Sequence, residues 1–478
     1  MAITNISVFR STDGGVTQAG ATTGRMSGTA GDRIGLLNML LLIGYNWQEL
    51  TPANLTQTGN VATVNQVGHG FNLYQRLWIV GMDQQGYLNS LTYGDAVYPA
   101  SVADSSHFTF PVTGSPVSPA TAGGSTTLGA AVTTTSATSI TLTSGASFPN
   151  FPYVIKIDSE YMLVTAGFQT TTPTVLRGMF GSTAATHTNS TAVAQKIMMG
   201  VAPAGGFNHW TADYTATNKS TYRPPAGNRM WFDVDDTGTT SSSGTAQYAN
   251  VRGYETMSAE GVGTGMFPLL TSVTVSNGSI NCLSGANTTA HPWAVIASDR
   301  MLHMWVDCAA TVVNQTYSST FSFTDLINQT KSGDAYATLM IFSNPSYTSD
   351  YGFAQMSTST CTAHWMPRSF TQLGSPINVG KTPKDGRAAN NNSGTGPMTF
   401  PHPPDGGLYL SPISVNEGSS TLTRGDIPGL WDVMHVRPCQ TFDIIQGTGA
   451  FAGKTFLMLC TYSVAQIAFE ISNTIQAT

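Results

Sequence analysis

Three closely spaced aspartates have the residue type and spacing of a cation site. Asp233, Asp235 and Asp236 follow an aromatic pair, and carboxylate oxygens are ligands of Ca²⁺, which takes roughly six to eight of them. Residues 237–245 supply only Ser, Thr and Gly, so a complete calcium loop is not formed locally. The sequence therefore favours a strand that ends in an Asp-rich turn and leaves these three aspartates as a weak calcium candidate.

Asp158 and Glu160 are a second candidate, because glycosidases act through a pair of carboxyl groups. The two residues flank Ser159 between two β-prone runs, which predicts a hairpin tip. Side chains at a hairpin tip are solvated, and nothing nearby in the sequence prepares either one for proton transfer. We therefore expect no catalytic role for this pair.

Two further patterns match metal and phosphate sites only in part. Cys361 and His364 form a C-x₂-H pair, which would need two more zinc ligands from elsewhere in the fold. The tripeptides Gly380-Lys381-Thr382 and Gly453-Lys454-Thr455 lack the glycine that precedes the GK pair of a phosphate loop by five residues. Core packing is favoured for the first pattern and chance for the second.

Four tryptophans could either line a glycan-binding groove or fill the core: Trp293, Trp305, Trp365 and Trp431. Aromatic side chains carry a large apolar surface, and in a strand-rich chain they more often fill the core. Core positions are the expectation for all four.

Signatures of common enzyme classes are missing. The sequence has no GxSxG, no HExxH and no GxGxxG placed between a strand and a helix. Its five cysteines are widely spaced and include no CxxC pair, which favours buried thiols over disulfides or zinc. We therefore predict a protein that is not an enzyme and that needs no cofactor.

Composition narrows the set of partners. Charged residues are 10% of the 478, with 20 Lys+Arg against 26 Asp+Glu and a net charge of −6. A nucleic-acid surface needs clustered basic residues, so no nucleic-acid partner is expected. The apolar runs are too short to span a membrane. The first ten residues lack the features of a signal peptide, which predicts synthesis in a cytosol without membrane insertion.

Periodicity predicts a mainly β protein with one N-terminal helix. Over residues 33–43, apolar side chains such as Ile34, Leu37 and Leu41 recur at helical spacing, and Gly44 follows where a left-handed cap belongs. Elsewhere, short β-prone runs alternate with turns rich in Gly, Asn and Asp, as in multi-module β-sandwich-like proteins. A helical turn is also predicted at residues 324–330.

Residues 51–125 and 126–204 each have the strand spacing of a small β module. The Ser-, Pro- and Gly-rich residues 114–127 are predicted to form a linker between the two modules.

The parts of the chain outside these modules resemble structural proteins of tailed bacteriophages. One pattern is residues 9–13 (FRSTD) and 28–31 (GTAG), together with the leucine helix that follows. The other consists of residues 229–236 (RMWFDVDD), 251–255 (VRGYE), 298–300 (SDR) and 331–335 (KSGDA). In the phage proteins, the helix is followed almost directly by the segment that matches residues 206–211 (GFNHWT). The resemblance implies a discontinuous core domain, residues 1–50 plus 205–478, with residues 51–204 inserted at an exposed loop.

The inserted modules carry resemblances of their own. Residues 59–64 (GNVATV), 69–71 (HGF) and 108–110 (FTF) are similar to small immunoglobulin-like repeats in phage tail and fibre proteins. Residues 157–164 (IDSEYMLV), with Arg177-Gly178 and residues 181–187 (GSTAATH), look like another phage virion module.

These resemblances imply a structural component of a tailed-bacteriophage particle, at the neck or collar, the tail or the capsid exterior. Such a component is located in the virion and acts by assembly with other virion proteins and with its own copies. A trimer or hexamer is expected, since phage tails have threefold and sixfold axes. The alternative is a glycan-binding adhesin or polysaccharide depolymerase of the phage tail, whose partner would be a host-surface glycan.

Overall fold

The structure of the protein is a computed structural model. The described residues are 2–13, 31–83, 85–87, 97–114, 116–204, 208–209, 219–223, 231–240, 247–254, 256–259, 262–264, 279–282, 292–307, 318–329, 338–343, 363–365, 378–381, 408, 410–417, 422–433, 440–462, 465–472 and 474–475.

The protein is mainly β, as predicted. Its strands in chain order are β1 Ile3–Thr4, β2 Ser7–Arg10, β3 Tyr45–Leu50, β4 Leu55–Thr58, β5 Val61–Asn65, β6 Leu77–Val80, β7 Ser101–Val102, β8 His107–Pro111, β9 Ser125–Thr127, β10 Tyr153–Ile157, β11 Glu160–Ala166, β12 Thr174–Met179, β13 Ala192–Val201, β14 Asn208–His209, β15 Lys219–Arg223, β16 Trp231–Thr240, β17 Gln247–Tyr254, β18 Thr256–Ala259, β19 Val262–Thr264, β20 Ser279–Cys282, β21 Trp293–Ala297, β22 Met301–Asp307, β23 Ser318–Asp325, β24 Thr338–Ser343, β25 Ala363–Trp365, β26 Asn378–Lys381, β27 Leu410–Glu417, β28 Leu422–Val433, β29 Ile444–Gln446, β30 Thr455–Tyr462, β31 Ala465–Glu470 and β32 Thr474–Ile475. Short 3₁₀ turns lie at Pro52–Asn54, Gln85–Tyr87 and Gly449–Phe451.

The predicted N-terminal helix is present and changes its winding along its length. Helix α1 spans Asp32–Asn38, and a π-helical turn continues it over Met39–Ile43. Gly44 then adopts a φ of +80°. A side chain at this position would be strained and would meet the Val201 carbonyl oxygen at 2.5 Å, so glycine is the residue that ends the helix here.

The chain divides into two compact units. One, here called the terminal unit, consists of Met1–Thr12, Gly20–Asn38 and Ala204–Thr478, and the other, here called the inner unit, consists of Asp13–Ala19 and Met39–Pro203.

The inner unit contains two antiparallel sheets. The larger sheet has the order β12-β11-β10-β13-β3, and β6 and β9 also pair with β13. One apolar cluster includes Tyr153, Ile155 and Met162. The other includes Val154 and Leu163, which alternate with those residues along β10 and β11, so the two faces of the sheet are each covered by apolar side chains. The smaller sheet has the order β4-β5-β8-β7.

The strand pairing differs from the predicted module boundaries. β3 and β6 both pair with β13, which places Tyr45–Leu50 in the inner unit and Leu77–Val80 in its larger sheet. The predicted linker is tied down, because the Ala120 amide donates to the Leu55 carbonyl and β9 pairs with β13. A short polar segment becomes ordered when its backbone forms hydrogen bonds with a neighbouring strand. Amino-acid composition does not show whether such a strand is nearby.

The terminal unit contains the remaining sheets. Their orders are β2-β21-β22-β23-β24-β25, β26-β27-β28-β31-β30-β29, β14-β15-β16-β17-β20, β18-β19 and β1-β32. Phe232 packs against Phe321 and Phe323, with ring centroids 5.6 and 4.9 Å away, which joins β16 to β23 in one core.

The helical turn predicted at residues 324–330 is wrong for the described residues. β23 continues to Asp325, and Ile327 exchanges two backbone hydrogen bonds with Asp426. Phe321 and Phe323 are both buried and lie two positions apart, which is strand periodicity. Phe323, Leu326 and Ile327 have the apolar spacing of a helical turn, but Phe323 lies in β23 and the other two follow the end of that strand.

The boundary given by strand pairing predicts which excision leaves a soluble terminal unit. Excision of residues 39–203, with Asn38 joined to Ala204 by a Gly/Ser linker, removes the inner strands together. Excision of residues 51–204 leaves β3 without β13 and exposes Tyr45 and Trp47, which are buried in the intact chain. We expect a several-fold higher soluble yield from the first deletion variant than from the second, measured by size-exclusion chromatography. Equal yields would contradict the boundary.

Candidate functional site: a buried carboxylate clasp

The hairpin between β10 and β11 separates its two acidic side chains. Ile157 pairs with Glu160, so the turn consists of Asp158 and Ser159 alone. Asp158 has a left-handed φ of 53° and a side chain that is 60% exposed, whereas the Glu160 side chain is fully buried. The prediction that both carboxylates are solvated is therefore wrong for Glu160, which is the first residue of a strand rather than part of the turn.

Glu160 is surrounded by hydrogen-bond donors. Its Oε1 accepts from Arg177 Nε at 2.7 Å and from the Gly178 amide at 2.9 Å. Its Oε2 accepts from Arg177 Nη2 at 2.7 Å and from the Ala185 amide at 3.0 Å. The guanidinium is thus bidentate on the carboxylate, the strongest geometry for such a pair.

His187 completes the cluster. Its Nε2 lies 2.8 Å from Glu160 Oε2, and its Nδ1 lies 2.8 Å from Asp158 Oδ2. The backbone of His187 exchanges two hydrogen bonds with Val132. We call Asp158, Glu160, Arg177 and His187 the clasp, because they join the β10–β11 turn, β12 and the segment before β13.

The electrostatics of the clasp keep Glu160 ionised. Burial alone would raise the pKa of this carboxyl, but the Arg177 guanidinium, the Ala185 amide and His187 outweigh it and lower the pKa to about 2. A general acid must hold a proton near neutral pH, and a nucleophile must have a free lone pair. With five donors on its two oxygens, Glu160 does neither, and the geometry supports a structural role.

The three aspartates of the calcium candidate do not converge. They lie inside β16, which continues to Thr240, rather than in a turn. Asp236 is fully buried, and its Oδ1 and Oδ2 accept from Arg33 Nη1 at 2.7 Å and from the Arg33 amide at 2.9 Å. Burial raises the pKa of Asp236, and the Arg33 guanidinium opposes that rise. With both of its oxygens bound to Arg33, the Asp236 carboxylate does not join Asp233 and Asp235 in one cation site.

This arrangement predicts that calcium does not stabilise the protein. Among the described residues, no group of three or more His, Cys, Asp or Glu side chains could hold a metal ion. We expect EDTA and added CaCl₂ to leave the Tm unchanged within about 1 °C, measured by differential scanning fluorimetry. A calcium-dependent rise in Tm that the substitution Asp235→Ala abolishes would contradict this result.

The tryptophans, the C-x₂-H pair and the GKT tripeptides have different surroundings in the structure. Trp293 and Trp305 are fully buried, as expected of core residues. Trp431 is partly exposed, and its Nε1 donates to Glu470 Oε2 at 3.0 Å while Lys454 Nζ lies 5.0 Å from its ring centroid. Cys361 and the side chains of His364 and Trp365 lie outside the described residues. Of the two GKT tripeptides, the second supplies Lys454 as an ion-pair partner of Glu470 rather than a phosphate ligand.

Sequence reasoning missed a second carboxylate cluster in the inner unit. Glu49 on β3 accepts from Lys196 at 2.6 Å, Lys156 at 3.0 Å and the Tyr161 hydroxyl at 2.7 Å. Burial would raise the pKa of Glu49, but these three donors lower it to about 2. Glu49 lies more than a hundred residues from each partner, so no local sequence motif predicts the cluster.

Two other buried histidines are neutral. His303 Nδ1 lies 2.7 Å from the Ser322 hydroxyl and Nε2 lies 2.8 Å from the Pro428 carbonyl oxygen, and burial lowers its pKa to about 4. His69 Nδ1 accepts from the Phe71 amide at 2.9 Å and Nε2 donates to the Asp104 carbonyl at 3.1 Å, and burial lowers its pKa. Each ring therefore has one donor and one acceptor as neighbours, which suits a neutral imidazole.

No protein-family model matches the chain, and no curated protein matches it either. In the described residues, no helix is long and apolar enough to cross a membrane.

Proposed function

We propose that this protein is a structural component of a tailed-bacteriophage particle, at the neck, tail or capsid exterior, and that it acts by assembly. One observation carries the proposal: residues of the inner unit that resemble a phage virion module form a closed clasp. Asp158, Glu160, Arg177 and His187 are up to 29 residues apart, yet their polar groups are directed at one another. A motif whose residues hold a module together is what a structural repeat requires.

The chemistry of the molecule supports a role in assembly rather than catalysis. The buried ionisable groups described above are paired within the fold, and Glu160 lacks the free lone pair that catalysis would use. A surface with few charges forms protein–protein interfaces without desolvating many ions. The partners proposed are other virion proteins and further copies of this chain, as a trimer or hexamer.

Two measurements on the purified chain test the proposal: its oligomeric state and its activity on polysaccharides. We expect sedimentation-velocity ultracentrifugation to give a trimer or hexamer, and we expect no release of reducing sugar from bacterial surface polysaccharides. Polysaccharide cleavage by the purified chain would overturn the structural proposal in favour of a depolymerase. If the chain is a monomer at all concentrations, and an antibody against it does not bind phage particles, the proposed assembly role is wrong.

A further inference from the structure

The surroundings of the His187 ring differ from those of the neutral histidines. Both of its nitrogens face carboxylate oxygens at 2.8 Å, Glu160 Oε2 on one side and Asp158 Oδ2 on the other. An ionised carboxylate accepts hydrogen bonds and donates none. Each of these two contacts is a hydrogen bond only when its ring nitrogen carries a proton, so the geometry fits the doubly protonated, cationic ring.

The charges around the ring balance in that state. Arg177 faces Glu160 from β12, Asp158 faces the ring from the turn, and the segment around Val132 contributes backbone groups. Between residues 128 and 192, the other ionisable side chains are Tyr153, Lys156 and Tyr161, and both Lys156 and Tyr161 bind Glu49. A cationic His187 gives the clasp two positive and two negative charges, and a neutral one leaves an excess negative charge at a buried ring.

We propose that the clasp is a proton-dependent latch on the β10–β11 turn, closed when the His187 ring carries both protons and opened at Asp158 when one proton is lost. The remaining proton stays on Nε2, because Glu160 is buried and fixed by four other donors. Nδ1 then faces Asp158 with a lone pair, and the two repel. Asp158 is the partner that moves, since its side chain is 60% exposed and water can replace the ring.

The substitution Asp158→Asn is the matched control for this latch. An Asn amide donates from Nδ2 to the lone pair of a neutral ring, so the contact no longer needs the second proton. The backbone at this position has a φ of 53°, which Asn adopts at least as easily as Asp. The variant therefore changes the proton requirement without straining the turn.

Nitrogen-15 NMR of the histidine rings in the full-length chain tests the protonation state directly, with His187→Gln used to assign the signal. As the pH is raised, we expect the second ring proton of His187 to be kept longer in the wild type than in Asp158→Asn, because only the wild-type ring faces two carboxylates. A ring that loses this proton over the same pH range in the two proteins would overturn the proposal.

The melting temperature gives the second readout. As the pH is raised, we expect the wild-type Tm of the inner unit to fall relative to those of Asp158→Asn and His187→Gln, in which the contact at position 158 does not depend on the second proton. Equal pH dependence in all three proteins would overturn the latch. The proposal does not rest on a virion role, because both readouts concern the isolated chain.

Discussion

Replacing Glu160 by Gln is expected to destabilise the inner unit by about 3–5 kcal/mol, the usual cost of breaking a buried ion pair. The substitution keeps the side-chain shape but removes the negative charge that faces Arg177 and His187. Arg177 would then remain buried without its bidentate partner. One amide nitrogen would also face the donors that now bind an oxygen. Urea unfolding followed by hydrogen exchange in peptides from β10 to β13 measures the loss.

Glu49→Gln is the matched control for this prediction. Burial and donors leave the pKa of both carboxyl groups at about 2, but the Glu49 side chain is about one third exposed and water can replace its partners. We expect a loss of roughly 0–1 kcal/mol there. Equal losses in the two variants would contradict the claim that Glu160 is the buried anchor of the clasp.

The same clasp predicts the response to acid. The pKa of Glu160 is lowered from 4.5 in the unfolded chain to about 2 in the folded one. The stabilisation from its ionised form is therefore complete above about pH 4.5 and is lost as the pH falls toward 2. In Glu160→Gln this part of the acid dependence should be absent.

The second large effect is expected at Arg33, in the terminal unit. Arg33→Met leaves Asp236 fully buried without the guanidinium that binds its Oδ1, and we expect a destabilisation of about 3–5 kcal/mol. The double variant Arg33→Met/Asp236→Leu removes both charges together, so it should regain most of that loss. Hydrogen exchange in peptides from β16 and β17 measures both variants. A double variant no more stable than Arg33→Met would contradict the pairing argument.

The pH dependence of Arg33→Met has a definite sign. Burial already raises the pKa of Asp236 above its ordinary 3.8, and removal of Arg33 raises it further. The folded variant then holds a proton that the unfolded chain releases. Its stability is greatest below about pH 4 and falls as the pH rises, and the fall should be smaller in Asp235→Asn, which keeps Arg33 beside Asp236.

Strand identity was largely predictable because it depends on local composition. Tyr153–Ile157 and Trp293–Ala297 are strands of the kind the sequence predicts, since β-branched and aromatic residues are bounded there by turns. The N-terminal helix was predictable from its periodicity. Its π-helical second half was not, because the winding there has no counterpart in the apolar spacing.

The sites were less predictable because they depend on pairing across long sequence distances. Arg33 and Asp236 are separated by 203 residues, and neither residue type is unusual in its own segment. The residues of the clasp all belong to the segments that resemble a phage module. Their proximity, however, follows from the pairing of β10 with β11 and of β11 with β12. Glu160 was predicted to be solvated because sequence spacing does not show whether a carboxylate begins a strand or belongs to a turn.

Immunogold electron microscopy of purified tailed-phage particles whose genome encodes this chain tests the central proposal most directly. Antibody against the inner unit should label a regular position on the neck, tail or capsid of every particle, and a cryo-EM map should show threefold or sixfold density at that position. Particles that carry no label, although the antibody detects the chain in the lysate, would contradict a structural role in the virion.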